Sequence, residues 1–351
     1  MLSRLLFVTR TILGGAILVI AGGAASQAAD YHLVKKIVLG GEGGWDYFKA
    51  DPVTHRVFIA RGTHVMVLGP DGKVLQDVTG IKGSHAVEFA PDLKRIFTSN
   101  GGAGSVTILD QETLRVIAEV KIPNRDPDAI LYEPISKRVF TFNGEGGNDA
   151  TAIDAKTGEV LGNIPLGGKP EFAQTDGSGR VFVNMEDQSQ IKEIDPNGLK
   201  VRNTWPIAPC KEPSGMAIDV AHKRLFSGCH NGITAVVDYS TGKVVATFPI
   251  GQGVDANQFD PGTALVFASC GDGHGTITAA HQDSPDKYTV VQTIATQAGA
   301  RTMALDTANH NIYTVTADRG PAPPATKDNP RPRPSLVPGT FTLLIFSQLG
   351  K

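Results

Sequence analysis

Residues 215–250 read GMAIDVAHKRLFSGCHNGITAVVDYSTGKVVATFPI, and this stretch decides the fold. It holds four short apolar runs separated by turn-forming residues, the pattern of short β-strands. The predicted strands are Gly215–Asp219, Arg224–Gly228, Thr234–Asp238 and Val244–Ile250. Gly242 lies in the turn between the last two, where it allows the positive φ of a tight hairpin. The stretch therefore predicts one four-stranded antiparallel sheet.

The same pattern recurs along the chain. Seven second strands share a short apolar segment that ends in an aromatic residue, at Arg56-Val57-Phe58, Arg95-Ile96-Phe97, Arg138-Val139-Phe140, Arg180-Val181-Phe182, Arg224-Leu225-Phe226, Leu265-Val266-Phe267 and Asn311-Ile312-Tyr313. Each follows a turn anchored at Asp51, Pro91, Glu133, Asp176, Asp219, Asp260 or Asp306, and these anchors are 40, 42, 43, 43, 41 and 46 residues apart. A period of about 40 to 45 residues with several strands per unit is typical of β-propellers.

We therefore predict an all-β protein with a single seven-bladed β-propeller of four-stranded antiparallel blades over residues 30–351. The predicted blades are 44–80, 84–122, 126–166, 169–207, 212–250, 253–294 and 300–346. The seventh unit supplies only three strands of its own. Residues 31–39 alternate in polarity and would be an unpaired edge, so we expect them to pair with Thr340–Phe346 and close the ring.

The repeat resembles a known family. The resemblance rests on second strands such as Ile96-Phe97-Thr98-Ser99-Asn100 and Val139-Phe140-Thr141-Phe142-Asn143, on third strands ending in Asp154, Asp195 and Asp238, and on the turn Thr241-Gly242-Lys243-Val244. In these features the chain resembles the YVTN-repeat, YncE-like family of exported seven-bladed propellers. The resemblance implies the fold and export. It implies no reaction, so function has to be argued from the site.

The N-terminus predicts export independently. Arg4 and Arg10 precede an apolar, Gly-rich segment at 11–23, and Ser26 and Ala28 place small residues before a cut. This is the pattern of a cleaved secretory signal peptide at 1–28. An uncleaved membrane anchor would need about 20 apolar residues. We expect a periplasmic or secreted protein without a membrane anchor.

Charge and motifs exclude several classes of function. The chain has 33 Lys and Arg against 35 Asp and Glu. Removing the signal peptide takes away two arginines, which leaves 31 against 35, a net charge of −4. Such a balance indicates no nucleic-acid partner. No nucleotide-type glycine loop, His-Glu-x-x-His or Cys-x-x-Cys-His motif occurs. We expect a monomer.

The three cysteines allow more than one arrangement. Cys210 and Cys229 fall at the same end of the fifth unit, so a Cys210–Cys229 disulfide is the first expectation in an oxidising compartment. Cys270 holds the same place in the sixth unit that Cys229 holds in the fifth, which makes a Cys229–Cys270 bridge the rival. A copper site formed with His230 and His274 is a third reading.

Two further features lie in loops. His55, His222 and His310 occur in turns between first and second strands, where we expect them only to be solvated. The insertion at 318–339 contains seven prolines and several basic residues, and it joins two strands of the seventh unit. Loops of this length are usually binding lids or disordered, and both readings stay open.

The candidate site follows from the register of the repeat. Five residues before each turn anchor lies the residue that begins the first strand, and these positions should ring the axial channel: Asp46, Ala86, Asp128, Glu171, Ser214, Asp255 and Arg301. His85 precedes Ala86. Converging carboxylates repel one another, so they should bind a cation, pair with Arg301 or hold a proton. A hard divalent cation such as Ca²⁺ suits oxygen ligands.

We therefore expect the ligand-binding residues to be Asp46, His85, Asp128, Glu171, Ser214, Asp255 and Arg301. The predicted function is that of an exported propeller that binds a small molecule, a metal or a protein partner at the channel mouth without catalysis. The alternative is a metal-assisted hydrolase, lactonase or lyase, or an oxidoreductase subunit, that uses the same mouth. The sequence does not decide whether the protein is an enzyme.

Overall fold

The computed structural model describes residues 29–122, 126–144, 146–324, 326 and 334–348. The predicted signal peptide at 1–28 lies outside the described residues. Within the described ranges the regular structure consists of β-strands and three single-turn 3₁₀ helices, at Pro91–Leu93, Gly101–Ala103 and Glu186–Gln188. None of the described helices is long and apolar enough to cross a membrane.

Four sheets contain four strands in sequential antiparallel order. The first is β9 (Pro127–Glu133), β10 (Arg138–Asn143), β11 (Asp149–Asp154) and β12 (Val160–Pro165). The second is β13 (Pro170–Thr175), β14 (Val181–Met185), β15 (Gln190–Asp195) and β16 (Lys200–Pro206). The third is β17 (Pro213–Asp219), β18 (Arg224–Cys229), β19 (Ile233–Asp238) and β20 (Lys243–Pro249). The fourth is β21 (Val254–Asp260), β22 (Leu265–Cys270), β23 (Thr276–Ser284) and β24 (Lys287–Ala295).

Two further units share one seven-stranded sheet. Its strands are β2 (Phe48–Ala50), β3 (Val57–Ala60), β4 (Gly62–Leu68), β5 (Val74–Ala90), β6 (Arg95–Asn100), β7 (Ser105–Asp110) and β8 (Val116–Lys121). The first half of β5 pairs with β4 and its second half pairs with β6. The long strand thus ends one four-stranded unit and begins the next.

The remaining sheet joins the two ends of the described chain. It has the order β1 (Tyr31–Val38), β27 (Thr342–Gln348), β26 (Asn311–Thr316) and β25 (Met303–Asp306). The pairing runs from Tyr31 opposite Gln348 to Val38 opposite Thr342, with one irregularity after Leu33. The predicted pairing of the N-terminal segment with the C-terminal strand is therefore present.

The sheets are arranged as a β-propeller. The first strand of each unit contacts the first strand of the next, and β25 contacts β2, so the first strands surround a common axis. The aromatic residues that define the repeat are all fully buried: Phe58, Phe97, Phe140, Phe182, Phe226, Phe267 and Tyr313. The apolar clusters that contain them combine residues of neighbouring units. A single unit could not bury these faces, which is why the blades stack.

The predicted disulfide between Cys210 and Cys229 is confirmed, with the two Cα atoms 5.4 Å apart. Cys270 is buried as a free thiol, and burial raises its pKa to about 12. The rival Cys229–Cys270 bridge is therefore wrong. The predicted copper site formed by these cysteines is also wrong, because Cys210 and Cys229 are bonded to each other and are not free as thiolate ligands.

The turn histidines are not merely solvated, so that expectation is wrong. His55 Nδ1 lies 2.6 Å from Asp306 Oδ2, and His310 Nδ1 lies 2.6 Å from Asp260 Oδ2. Both pairs join neighbouring units. His222 Nδ1 lies 2.7 Å from Asp219 Oδ2 within its own unit. Because all three aspartates are buried, these histidines act as partners of turn carboxylates.

The described part of the Pro-rich insertion is anchored at its base. Arg319 and Leu336 form an isolated antiparallel bridge, and the backbone nitrogen of Val337 donates to the carbonyl of Asp318 at 2.8 Å. Residue 325 and residues 327–333 lie outside the described residues, so a binding lid and a disordered loop both remain predictions for this insertion.

Candidate functional site

Seven residues at the starts of the first strands meet at one end of the axial channel. Asp46 directly precedes β2, Arg301 precedes β25, and the others lie on β5, β9, β13, β17 and β21. We call this set the mouth: Asp46, His85, Asp128, Glu171, Ser214, Asp255 and Arg301. Six of its members are joined by hydrogen bonds or ion pairs. Tyr47 links Glu171 to them, because its hydroxyl donates to Glu171 and its backbone nitrogen donates to the carbonyl of His85.

Polar side chains from the blades fix the mouth backbone. Ser99 Oγ donates to the carbonyl of Asp128, and it accepts from the backbone nitrogen of Ala86 at 3.1 Å. Asn184 Nδ2 donates to the carbonyl of Ser214 at 2.9 Å. Ser99 and Asn184 lie on second strands, and each reaches a mouth residue of the following unit. Both side chains are fully buried, so adjacent mouth residues are held in a defined spacing.

The closest group in the mouth is Asp46, His85 and Asp128. His85 Nδ1 lies 2.7 Å from Asp46 Oδ2 and 3.6 Å from Asp128 Oδ1. The ring's other nitrogen, Nε2, lies 4.0 Å from Asp126 Oδ1. One imidazole therefore faces three carboxylates. Sequence reasoning missed Asp126, although it lies only two positions before Asp128.

Arg301 neutralises the opposite side of the mouth. Its Nε donates to Asp255 Oδ2 at 2.5 Å, and its Nη2 lies 3.6 Å from Asp46 Oδ1. Ser214 Oγ donates to the other oxygen of Asp255 at 3.2 Å. Asp255 is thus satisfied by two donors. The expected pairing of Arg301 with carboxylates is therefore present. Arg301 pairs with Asp255 and Asp46 but forms no ion pair with Asp128.

Glu171 occupies a separate subsite. Lys169 Nζ lies 2.8 Å from Glu171 Oε1 and also contacts Glu186, while the hydroxyl of Tyr47 donates to Glu171 Oε2 at 3.4 Å. Lys169, Glu186 and Tyr47 were not predicted to belong to the site. The alternation of the strand gives one signal for Lys169, since residues two apart share a face.

The electrostatics of the mouth favour bound protons. Burial, followed by the Asp46 carboxylate, raises the pKa of Asp128 to about 7. Burial, followed by Asp128, raises the pKa of Glu171 to about 8. The hydrogen bond with Asp46 raises the pKa of His85 to about 9. Burial also raises the pKa of Asp255, against the opposing effect of Arg301. The site holds more carboxylates than its cations neutralise.

Asp128 is the least satisfied member of the mouth. Its Oδ1 atom is buried and accepts no hydrogen bond from any described residue. The ligand atoms of Asp46, His85 and Asp128 all lie within 4.8 Å of one another. In bound sites, metal–ligand distances of about 2.0–2.2 Å place neighbouring ligand atoms roughly 3 to 3.5 Å apart. Small side-chain movements would bring these three groups to that spacing.

Comparison with known proteins supports the fold and leaves the function open. No protein-family model and no curated protein match the chain. A WD40 β-propeller chain in the crystal structure of the mitotic checkpoint complex is similar, with 12% identity, a TM-score of 0.71 and 98% of each chain covered. In all, 1766 solved chains match, so the fold is too widely used to select a function. The resemblance to the YVTN-repeat family stays a prediction.

Proposed function

We propose that the protein is an exported, seven-bladed propeller that binds a divalent cation at the mouth through Asp46, His85 and Asp128. The observation that carries this proposal concerns the buried Asp128 Oδ1 atom, which accepts no hydrogen bond from any described residue. Asp128 also lies close to a possible ligand atom of Asp46 and one of His85. A buried oxygen without a donor is costly. A bound cation would satisfy it and would relieve the repulsion between the two carboxylates.

The donor set favours one class of cation. Ca²⁺ takes six to eight oxygen ligands, whereas imidazole nitrogen with carboxylates suits Zn²⁺, Mn²⁺ and related ions. His85 is central to the cluster, because its Nδ1 faces both carboxylates. The expectation of Ca²⁺ from the sequence is therefore refined to a transition-type divalent ion. The ion must displace the His85 proton, so binding should strengthen as pH rises toward 9.

The test is direct metal binding to protein stripped of metal. Isothermal titration with Zn²⁺, Mn²⁺ and Ca²⁺ at pH 7.5 should give one site per chain, with Ca²⁺ the weakest. Asp128→Asn and His85→Asn should each weaken binding by more than about 100-fold, since changes to the groups around ligands already cost about 10- to 100-fold.

The matched control for the ligand variants is Asp126→Asn. Asp126 also contacts His85, but from the Nε2 side and at 4.0 Å. It should change the affinity only modestly. Equal losses in Asp126→Asn and Asp128→Asn, or wild-type affinity in Asp128→Asn, would contradict the assignment. Elemental analysis of protein purified from its own compartment would identify the native ion.

A metal-assisted hydrolase is the second candidate. A cation held by only three protein ligands would have coordination positions free for water and substrate, as in catalytic metal sites. Hydrolysis of simple lactones and esters by the metal-loaded protein, lost in Asp128→Asn, would support the enzyme. Metal binding without turnover of these substrates would support the binding protein.

Export and the number of blades are part of the same proposal. Five four-stranded sheets and one seven-stranded sheet support seven units. The Cys210–Cys229 disulfide is compatible with an oxidising compartment. Amino-terminal sequencing of the secreted protein should find a new N-terminus after Ala28.

A further inference from the structure

A cavity lies in the channel, beyond the mouth. Its volume is about 250 Å³, and the first strands of several units line it. Exposed Pro52 and Thr307, in the turns that follow β2 and β25, line it too, so solvent reaches it from that side. Tyr47 also lines it, and the ring of Tyr47 packs edge to face on Phe172 at 5.0 Å. This cavity is distinct from the Asp46, His85 and Asp128 cluster.

Most of the cavity wall is apolar. Its lining includes Phe48, Val87, Ile130, Leu131 and Phe172 together with small alanines. The small side chains matter because they leave the space open. Such a wall, with few polar groups, is typical of sites for small organic molecules. A cavity below about 300 Å³ limits the ligand to roughly one ring.

Besides Tyr47 and Thr307, the polar side chains in the wall are Lys49, Glu88, Gln174 and Gln258. Lys49 Nζ donates to both oxygens of Glu88, at 2.7 and 2.6 Å, so this pair is already neutralised. Gln174 uses its Nε2 to donate to the carbonyl of Met216 at 2.9 Å. The amide of half-buried Gln258 takes part in no hydrogen bond within the described part of the chain. Gln258 therefore offers both a donor and an acceptor to a molecule in the cavity.

We propose that this cavity binds a small neutral organic molecule with an aromatic or alicyclic ring and one group that both donates and accepts hydrogen bonds, such as a primary amide. The ring would lie against Phe172, Ile130 and Val87, and the polar group would pair with Gln258. A charged ligand is disfavoured, because Lys49 and Glu88 neutralise each other and a third charge would be buried without a partner. The proposal does not depend on a cation at the mouth.

The test uses three probes of the same size. Saturation-transfer NMR and competition titrations with benzamide, benzoate and benzylamine should show saturable binding of benzamide and much weaker binding of the two ions. Gln258→Leu should lower the affinity for benzamide about three- to tenfold, which is the effect of losing one or two neutral hydrogen bonds. Ala173→Leu, which fills the cavity, should abolish binding.

Two controls keep the result interpretable. Asp128→Asn changes the mouth and should leave benzamide affinity unchanged. Thermal unfolding should show that Gln258→Leu is folded. If Ala173→Leu does not fold, the proposal is tested by Gln258→Leu alone. A water-filled channel would give no saturable binding of any probe and would overturn the proposal. So would benzamide binding that both cavity variants leave unchanged, or a preference for either ion.

Discussion

The two ends of the channel both carry acidic residues from the repeat, but they use them differently. At the turn end, buried Asp51 accepts from the backbone nitrogen of Val53 at 2.9 Å and from Thr54 Oγ1 at 2.7 Å. At the mouth, Asp128 Oδ1 is buried and accepts from no described residue. The first carboxylate completes a turn. The second is left for a proton or a ligand.

The difference lies in what the neighbouring chain provides. A turn places backbone N–H groups beside its own aspartate, so each turn acid is satisfied locally. The Asp306 carboxylate accepts a hydrogen bond from the backbone nitrogen of Ala308. The Glu133 carboxylate accepts hydrogen bonds from the backbone nitrogens of Ile135 and Ser136. Mouth acids begin extended strands and face one another across the channel. Most of their partners come from other units, and none donates to Asp128 Oδ1 within the described part of the chain. The repeat therefore yields structural acids at one end and a candidate site at the other.

The largest effect should come from breaking a turn acid. Asp260 is fully buried, accepts from Gly262 N and Thr263 Oγ1, each at 2.9 Å, and lies 2.6 Å from His310 Nδ1. Asp260→Ala leaves these donors without a partner. We expect a loss of about 3 kcal/mol or more in the free energy of unfolding, measured by urea denaturation. Cation affinity at the mouth should not change.

Glu112→Ala provides the control for this variant, since Glu112 pairs with Lys94 on the exposed surface. Its unfolding midpoint should match that of the wild type. If Asp260→Ala were as stable as Glu112→Ala, the turn acids would not be structural and the contrast between the two ends would disappear.

The sequence predicted the repeat well because its signal is local. The aromatic residue of each second strand and the turn anchors are set by alternation and turn chemistry, and the structure buries all seven aromatics. The register also placed the mouth residues. It listed His85 instead of its apolar neighbour Ala86 among the ligand-binding residues, and the structure brings His85 into the polar cluster, next to a bulge in the pairing of β5 with β6.

Side-chain contacts between neighbouring units could not be predicted from the sequence. His310 pairs with Asp260 and His55 pairs with Asp306, although the second pair is separated by 251 residues. In the sequence these histidines are ordinary turn residues. Only the arrangement of neighbouring blades brings each against a buried carboxylate. The contact of Glu171 with Tyr47 was missed for the same reason, because Tyr47 comes from another unit.

An intermediate effect should appear in the pH dependence of stability of the metal-free protein. Asp128 and Glu171 keep their protons to about pH 7 and 8 when folded, and His85 keeps its proton to about pH 9. In the unfolded chain these groups lose their protons near 3.9, 4.3 and 6.5. The folded state thus binds more protons, and the free energy of unfolding should fall as pH rises from about 5 to 9.

Asp128→Asn should reduce the slope of this profile in its low-pH part, below about pH 7. It removes a carboxylate whose ionised form is unfavourable in the fold, so we expect a gain of about 1 to 2 kcal/mol at pH 8, allowing for its partial exposure. Urea denaturation across the pH range measures the slope. Asp126→Asn should keep the wild-type slope. A wild-type profile that rises between pH 6 and 9 would show that the mouth carboxylates are satisfied in the fold.

The smallest effect should come from Tyr47→Phe, at the boundary between the mouth and the cavity. The lost hydrogen bond to Glu171 is long, at 3.4 Å, and the phenyl ring can keep its packing on Phe172. We expect less than about 1 kcal/mol of destabilisation. Since Tyr47 is not among the three proposed cation ligands, the cation dissociation constant should stay within about twofold of the wild type, a difference of about 0.4 kcal/mol. Titration calorimetry on Tyr47→Phe and Asp128→Asn side by side would measure this. A tenfold loss in Tyr47→Phe would place Glu171 inside the cation site as a fourth ligand.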